Sequence, residues 1–244
     1  MRYQWNPWHG CKKCSPGCLN CYVYYLDGLR GLDASQITKS KTNFTLPLKK
    51  RRSGEYKIPS GVTVATCFTS DFFIEEADEW RQEAWEIINK RKDVCFLIPT
   101  KRIERFERCL PKDWNEGYSN VIIAVTMENT EKLKERMPIL LRIKAKRKVV
   151  FASPLLEEID FSPFLDSKQI EAISVGGESY LNARVCDFSW VKQIKKTCDE
   201  KGVRFEFHQT GSHFVKDGKV YKINHHEEYS QAKKALNYLE REKK

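Results

Sequence analysis

Nowhere does the chain carry an apolar run long enough to cross a bilayer, which excludes a transmembrane helix and any membrane partner that needs one. No leader with a basic start and an apolar stretch precedes the first motif. The opening Met-Arg-Tyr-Gln is polar, so a reducing, cytoplasmic setting is expected and disulfides are not. No glycine-rich phosphate loop opens a helix after the first expected strand, which argues against a dinucleotide-binding fold. Acidic charge is short as well: 43 Lys and Arg against 33 Asp and Glu leave a formal net charge of +10. The excess gathers at Lys49-Lys-Arg-Arg52, between Lys144 and Lys148, and in the C-terminal tail. Such a balance points to a polyanionic partner, nucleic acid being the usual one, although lysine-rich surfaces also serve solubility. At 244 residues the chain suffices for one sizeable core and falls in the range of a single α/β barrel.

What the chain has in abundance is cysteine, and in one place. Of nine cysteines, Cys11, Cys14, Cys18 and Cys21 fall within eleven residues. Ser15, Pro16 and Gly17 between them make a turn, because Pro fixes φ and Gly permits φ > 0. Soft thiolates held that close select zinc, copper(I) or an iron–sulfur cluster. Cys14, Cys18 and Cys21 stand as C-x3-C-x2-C with Cys11 three residues upstream. Structural zinc usually takes two C-x2-C pairs from separate turns, and only three residues divide Cys11/Cys14 from Cys18/Cys21. Three thiolates on a short loop suit a cluster that leaves one iron open. The other five cysteines are scattered. Cys95 and Cys198 sit among apolar neighbours, where a thiol behaves as a small hydrophobe, and Cys67 lies in an expected strand near the site end.

After this loop, residues 22–32 read as a short helix ended near Gly31. The polar, basic stretch 33–60 reads as an ordered excursion or hairpin. Then β-branched runs alternate with amphipathic ones: strands at 62–68, 94–98, 120–126, 148–152, 172–175 and 203–207, and helices at 76–90, 103–110, 133–141 (with Pro138 starting or kinking a turn) and 189–200. Ser189 is the expected N-cap of the last and Gly202 its stop. A hairpin at Asp217-Gly218 and a charged helix complete the tail. The alternation predicts a parallel sheet wound by right-handed crossovers, either open and doubly wound or a partial barrel. One domain over 1–244 is expected: cysteine loop and first helix (1–32), basic excursion (33–60), β/α repeats (61–211) and tail (212–244).

C-x3-C-x2-C is the signature of radical S-adenosylmethionine enzymes. The longer W-N-P-W-H-G-C…S-P-G-C-L-N-C-Y, spanning Trp5 to Tyr22, resembles a phage- and bacterium-associated family described as radical-SAM-like. The likeness continues through T-S-D-F-F (69–73), T-K-R (100–102), V-T-M-E-N (125–129), S-P-L-L (153–156), V-G-G-E-S (175–179), A-R (183–184) and F-H-Q-T-G (207–211). The resemblance implies a partial (β/α)6-type TIM barrel, a [4Fe-4S] cluster on three of the four thiols, and S-adenosylmethionine at the open iron. It further implies a one-electron reductant as partner and a 5′-deoxyadenosyl radical that abstracts hydrogen from a substrate. Its phage association and the basic charge favour a nucleic acid or nucleotide. Two features depart from the superfamily's loop: Asn20 stands before the last cysteine where an aromatic is common, and Tyr22 follows it. Cys18 and Cys21 fit both the superfamily and family patterns, Cys14 only the first and Cys11 only the second.

In such barrels the chemistry sits at the C-terminal strand ends, and here nearly every end is polar: Ser70 and Asp71; Lys101 and Arg102; Glu128 and Asn129; Ser153; Gly176, Gly177 and Glu178; His208 and Gln209. Together they suggest a ligand pocket, since each buried polar group must find a partner; singly, Asp71, Asn129 and Ser153 would serve as helix caps or turn residues. Gly176-Gly177-Glu178 would let backbone approach a ligand and let the carboxylate accept from an ammonium. The superfamily uses such a segment for the methionine amino group, but after the second strand rather than a late one. Lys101, Arg102 and Arg184 could take a carboxylate or phosphate. Trp5 and Trp8 are expected to wall the loop, with His9 a ligand, a hydrogen-bond partner or a packed residue. Without a radical reaction, two alternatives remain: a zinc-stapled nucleic-acid-binding protein, or a non-catalytic iron–sulfur module for electron transfer or sensing.

Overall fold

The computed structural model describes residues 3–242, with side chains through 239. Met1, Arg2, Lys243 and Lys244, the extreme ends of the expected polar start and basic tail, lie outside the described residues. The chain divides into two compact units whose segments alternate: Met1–Cys14, Leu26–Val125 and Ile139–Lys148 in the first, Ser15–Tyr25, Thr126–Pro138 and Val149–Lys244 in the second.

The first unit contains β1 (Tyr3–Trp5), β2 (Trp8–His9), β3 (Thr38–Lys39), β4 (Thr63–Thr66), β5 (Cys95–Thr100) and β6 (Val121–Thr126). Its main sheet runs β1-β4-β5-β6, each neighbouring pair parallel. All six residues of β6, Val-Ile-Ile-Ala-Val-Thr, are buried, as expected of a parallel strand covered on both faces. Helix α1 (Tyr22–Gly28) enters this unit with its last turn, and α2 (Asp78–Lys90) buries Ala84, Trp85, Ile87 and Ile88. The stretch expected as a helix over 103–110 is instead two 3-10 turns, Ile103–Arg105 and Glu107–Cys109. There Ile103, Phe106 and Cys109 recur every third residue and are all buried, a spacing that the threefold turn of a 3-10 helix puts on one side.

A buried cation helps to tie down the basic excursion. Arg91, 1% exposed, follows α2 and donates to the carbonyls of Pro47 and Ile58 (2.8 Å for Ile58), and its Nε and Nη2 each reach Asp93 at 2.9 Å. Its guanidinium also lies over the Tyr56 ring, 3.9 Å from the centroid. The hydrogen bond from Arg91 in turn holds the Asp93 carboxyl far below the usual carboxylate range.

The second unit holds β7 (Lys148–Ala152), β8 (Ile170–Gly176), β9 (Cys186–Asp187), β10 (Arg204–Gln209), β11 (His213–Lys216) and β12 (Lys219–Lys222). Its strands of the main pattern run β7-β8-β10, with β8 and β10 parallel. A second sheet runs β12-β11-β9. Asp217 and Gly218 join β11 to β12, both at positive φ (52° and 72°), which is the backbone a tight hairpin requires. Helix α3 (Thr130–Arg142) buries Leu133, Met137 and Leu140 and runs through Pro138 rather than starting there. A short α4 (Ser162–Leu165) precedes β8; α5 (Phe188–Lys201) precedes β10, and α6 (Glu228–Glu242) packs on β10. The cap of α5 is Asp187, not Ser189: the Asp187 carboxylate accepts from the Ser189 amide and hydroxyl at 2.8 and 2.7 Å. Gly202 ends α5 at φ 68° as expected. Mixed α/β structure with parallel pairing is therefore what the chain forms, and among the described residues no helix is long and apolar enough to cross a membrane.

Replacing Arg91 with Met keeps the side chain's volume but strands two carbonyls and Asp93. Unfolding in urea is expected to show a loss of about 2–4 kcal/mol, and limited proteolysis should begin within residues 44–58. Unchanged stability and unchanged cleavage sites would mean the excursion is held by something else.

Candidate functional site

A loop of this length, with little regular structure, cannot satisfy its own backbone polar groups. In the first unit, residues 5–14 are held by the ends of β4 and β5. Trp5 and Trp8 are fully buried; their indole N–H groups donate to the Phe44 carbonyl (2.9 Å) and the Asp71 carbonyl (3.1 Å). The Gly10 amide donates to the Thr69 carbonyl and the Ser70 hydroxyl to the Gly10 carbonyl, at 3.1 and 2.5 Å. Arg102, 8% exposed, donates from Nη2 to the Lys12 carbonyl (2.6 Å) and from Nη1 towards the Cys11 sulfur (3.7 Å). Asp71 orients it: one oxygen accepts from the Thr100 hydroxyl (2.8 Å) and the Phe73 amide (3.0 Å), the other from the Lys101 amide (2.8 Å) and Arg102 (3.4 Å). Burial works against the charge on Arg102, but Asp71, Cys14 and Cys11 outweigh it and raise its pKa. His9 is a hydrogen-bond partner there: its Nε2 meets the buried Asp27 at 2.7 Å.

In the second unit, residues 15–25 are held by the ends of β6 and β8. Pro16–Cys18 forms one 3-10 turn, closed by the Cys18 amide on the Ser15 carbonyl (2.9 Å), and Ser15 Oγ lies 3.6 Å from the Cys18 sulfur. The Gly17 amide donates to Glu128 at 3.2 Å, and a Cβ at Gly17 would sit a tight 3.1 Å from that carboxyl. Glu128 is completely buried and paired with Arg136 at 2.9 Å, whose Nη1 also reaches the Thr126 carbonyl. Asn20, between Cys18 and Cys21, donates to Glu178 (3.0 Å) and the Asn182 carbonyl (2.7 Å). Glu178 accepts further from the Arg184 amide (2.8 Å) and its guanidinium, which reaches on to the Pro16 carbonyl at 2.8 Å. Burial alone would raise the Glu178 pKa, but Arg184 and Asn20 more than offset it and hold the carboxyl below its ordinary value.

The expected strand-end residues thus meet the loop itself. Ser70 and Arg102 bind it directly and Asp71 through Arg102 and Trp8, while Glu128 and Glu178 bind its second half. Asn129 caps α3, accepting from Lys132 at 2.9 Å. The two glycines before Glu178 make room for protein: a Cβ at Gly176 would lie 2.5 Å from the His208 ring, and one at Gly177 would fall on the Thr210 carbonyl. His208 bridges Ser153 Oγ (3.3 Å) and Ser174 Oγ (3.0 Å), and burial pushes its pKa down to about 4. Among the strand-end cations Lys101 stands apart, since its ammonium has no partner among the described residues. Arg136 escaped notice in the sequence, although a cation inside the apolar stripe Leu133, Met137, Leu140 marks a buried partner.

None of the nine cysteines is in a disulfide; in the loop Cys18 is buried, Cys11 and Cys21 half-buried and Cys14 exposed. Among the described residues no three His, Cys, Asp or Glu side chains are grouped as a metal site. Away from the loop, burial raises the thiol pKa of Cys186 and Cys198 to about 12 and that of Cys67 well above its usual value, which makes all three inert.

A family model described as protein of unknown function (DUF5131) matches residues 1–240. The chain belongs to that family. No curated protein and no solved structure matches it.

For this DUF5131 chain the geometry predicts an ordered series of glycine variants. Gly177→Ala must move backbone at Thr210, whereas Gly176→Ala meets side-chain atoms, the His208 ring and Gln209 Cγ. Overpacking costs of about 1–3 kcal/mol are expected, with position 177 at the upper end; equal losses in urea unfolding would refute the assignment. Glu178→Gln tests the clamp by pH. A carboxyl whose folded pKa is depressed stabilises above its unfolded value, near 4.3, and that stability is lost as pH falls through the folded value. The variant should therefore melt lower than wild type at pH 7, and the gap should shrink below about pH 4.

Proposed function

We propose that this chain is a radical enzyme that binds a [4Fe-4S] cluster and S-adenosylmethionine on a partial (β/α)6-type barrel and acts on a nucleic acid or nucleotide. The observation that carries the proposal is four cysteines outside any disulfide within eleven residues, on a loop whose backbone is held by the side chains of Arg102, Glu128 and Arg184. The donor chemistry fits the cluster: soft sulfurs, no disulfide partners, and one thiol to spare. Cys18 and Cys21, with either Cys11 or Cys14, would be the ligands, and ligation asks these side chains to turn toward one centre. When bound, the cluster and the adenosyl cofactor together supply one-electron cleavage of the sulfonium and hydrogen abstraction by the resulting carbon radical.

The chain's own residues orient and shield. Arg102, aimed at the Cys11 sulfur, would place a positive charge beside the cluster and raise its potential. Trp5 and Trp8, fully buried behind the loop, keep water from that side. Lys101, with no partner among the described residues, is the strand-end cation left for a cofactor carboxylate. Ser70, Asp71, Glu128, Asn129 and the Gly176–Glu178 segment then serve the cofactor chiefly by fixing the loop and the strand ends around it.

Anaerobic reconstitution should give about four irons per chain and a dithionite-reduced electron paramagnetic resonance signal that changes on adding S-adenosylmethionine. Cys18→Ser and Cys21→Ser should abolish iron binding, and one of Cys11→Ser and Cys14→Ser should retain it. One tightly held zinc and no iron after reconstitution would overturn the proposal. So would a cluster indifferent to the cofactor.

A further inference from the structure

The basic excursion has no part in the scheme above, yet a cavity of the first unit lies along it. This cavity has a volume of about 580 Å³, within the size range of small-ligand sites. Arg30, Lys39, Lys41 and His9 line it together with Asn43, Thr69 and other hydroxyl and amide side chains, and no carboxylate is in its lining. Three cations without an acid among them is unusual on a chain that carries 33 acidic residues, because such residues ordinarily intersperse.

The charges are not all compensated from behind. His9 is engaged by Asp27 at 2.7 Å, and Lys39 by Glu83 at 2.5 Å and the Phe44 ring at 4.0 Å. Arg30 and Lys41 are exposed and have no ion-pair partner among the described residues. A second, independent observation comes from the cavity wall. Thr69 Oγ1 is buried and lacks a hydrogen-bond partner, although its own amide and carbonyl are bonded to Asn6 and Gly10. A buried hydroxyl left unpaired is unfavourable, and a ligand oxygen would relieve it. Part of the wall is formed by strand pairing: β2 pairs with β3, setting Trp8 opposite Lys39 and His9 opposite Thr38, and His9 lies two residues before Cys11.

We propose that this cavity binds the phosphate of a nucleotide, either free or within a strand. The guanidinium of Arg30 offers a fork matched to phosphate oxygens, and Lys41 adds a point charge. The hydroxyl and amide groups satisfy the remaining oxygens. A carboxylate ligand would need one such cation, whereas a phosphate with up to two negative charges uses the set. The substrate's chemistry rests on the radical-enzyme proposal, but the location rests on the cavity alone.

The test uses full-length protein and two probes: a fluorescein-labelled single-stranded 12-mer by anisotropy, and a nucleoside monophosphate by calorimetry, with inorganic phosphate as reference. Arg30→Glu/Lys41→Glu is compared with Arg51→Glu/Arg52→Glu, which changes net charge equally but outside the cavity. The cavity variant should weaken binding more than about tenfold and lower the salt slope by ~1 for each phosphate it no longer neutralises, while the control stays within about twofold. Thr69→Val should weaken binding without lowering the melting temperature, since the hydroxyl it removes has no partner. Binding of the monophosphate identifies a free nucleotide, and binding of the 12-mer alone identifies a strand. Equal losses in both charge variants, binding no better than inorganic phosphate, or no binding would each overturn the proposal. Iron content and the paramagnetic signal, read on the same preparations, separate failure of this site from failure of the cluster.

Discussion

A short cysteine-bearing loop must have its backbone satisfied from outside, and the Glu178–Arg184 pair shows how that is done here. Two carboxylate oxygens, nearly out of solvent, accept from a guanidinium, a main-chain amide and the Asn20 side chain. The guanidinium, fixed in this way, also donates to the Pro16 carbonyl. In low dielectric such a network is rigid only when complete, because any member left unpaired carries its full desolvation cost. The same logic recurs with Asp71 behind Arg102 and with Arg136 behind Glu128. In each case a charge touching the loop is backed by an opposite charge. Loop geometry thus depends on pairs of residues, and substituting the hidden member should disturb it as much as substituting the visible one.

These networks also explain several residue choices that a ligand had seemed to require. Asn20 stands where radical S-adenosylmethionine loops commonly carry an aromatic, and its amide supplies two donors that an aromatic ring would lack. Gly17 admits the Glu128 carboxyl, Gly176 admits His208, and Gly177 admits the backbone at Thr210. The paired glycines before Glu178 therefore record how closely protein packs against protein.

Much of the fold was legible because its signals are local. Lys148–Ala152 is a β-branched run that ends where the sequence says it should, Gly202 supplies the left-handed stop of α5, and Asp217-Gly218 gives the hairpin. What escaped depends on partners remote in sequence or on very short spans. β1 is three residues long and exists because Tyr3–Trp5 pairs with Val64–Thr66. The segment 103–109 has apolar spacing compatible with either helix, and its threefold recurrence selects the tighter one. At the site the polar strand ends were legible as a convergent set, but their target was not. Ser70, Arg102, Glu128 and Glu178 reach residues 60 to 158 positions away, and no local pattern encodes such pairings.

That retargeting changes what distinguishes a radical enzyme from an iron–sulfur module that only carries electrons. Polar strand ends would be idle in the latter if they existed to hold an adenosyl cofactor. Since Ser70, Asp71, Arg102, Glu128 and Glu178 hold the loop, either protein would need those five. The discriminating features are the groups the loop does not use. Among the described residues the Lys101 ammonium has no partner, and the cavity of Arg30 and Lys41 has charge without compensation. A pure electron carrier gains nothing from an unpaired strand-end ammonium or from a basic cavity of small-ligand size whose wall residue His9 stands two positions before the first thiol. An enzyme that must seat a cofactor carboxylate and a nucleotide gains from both.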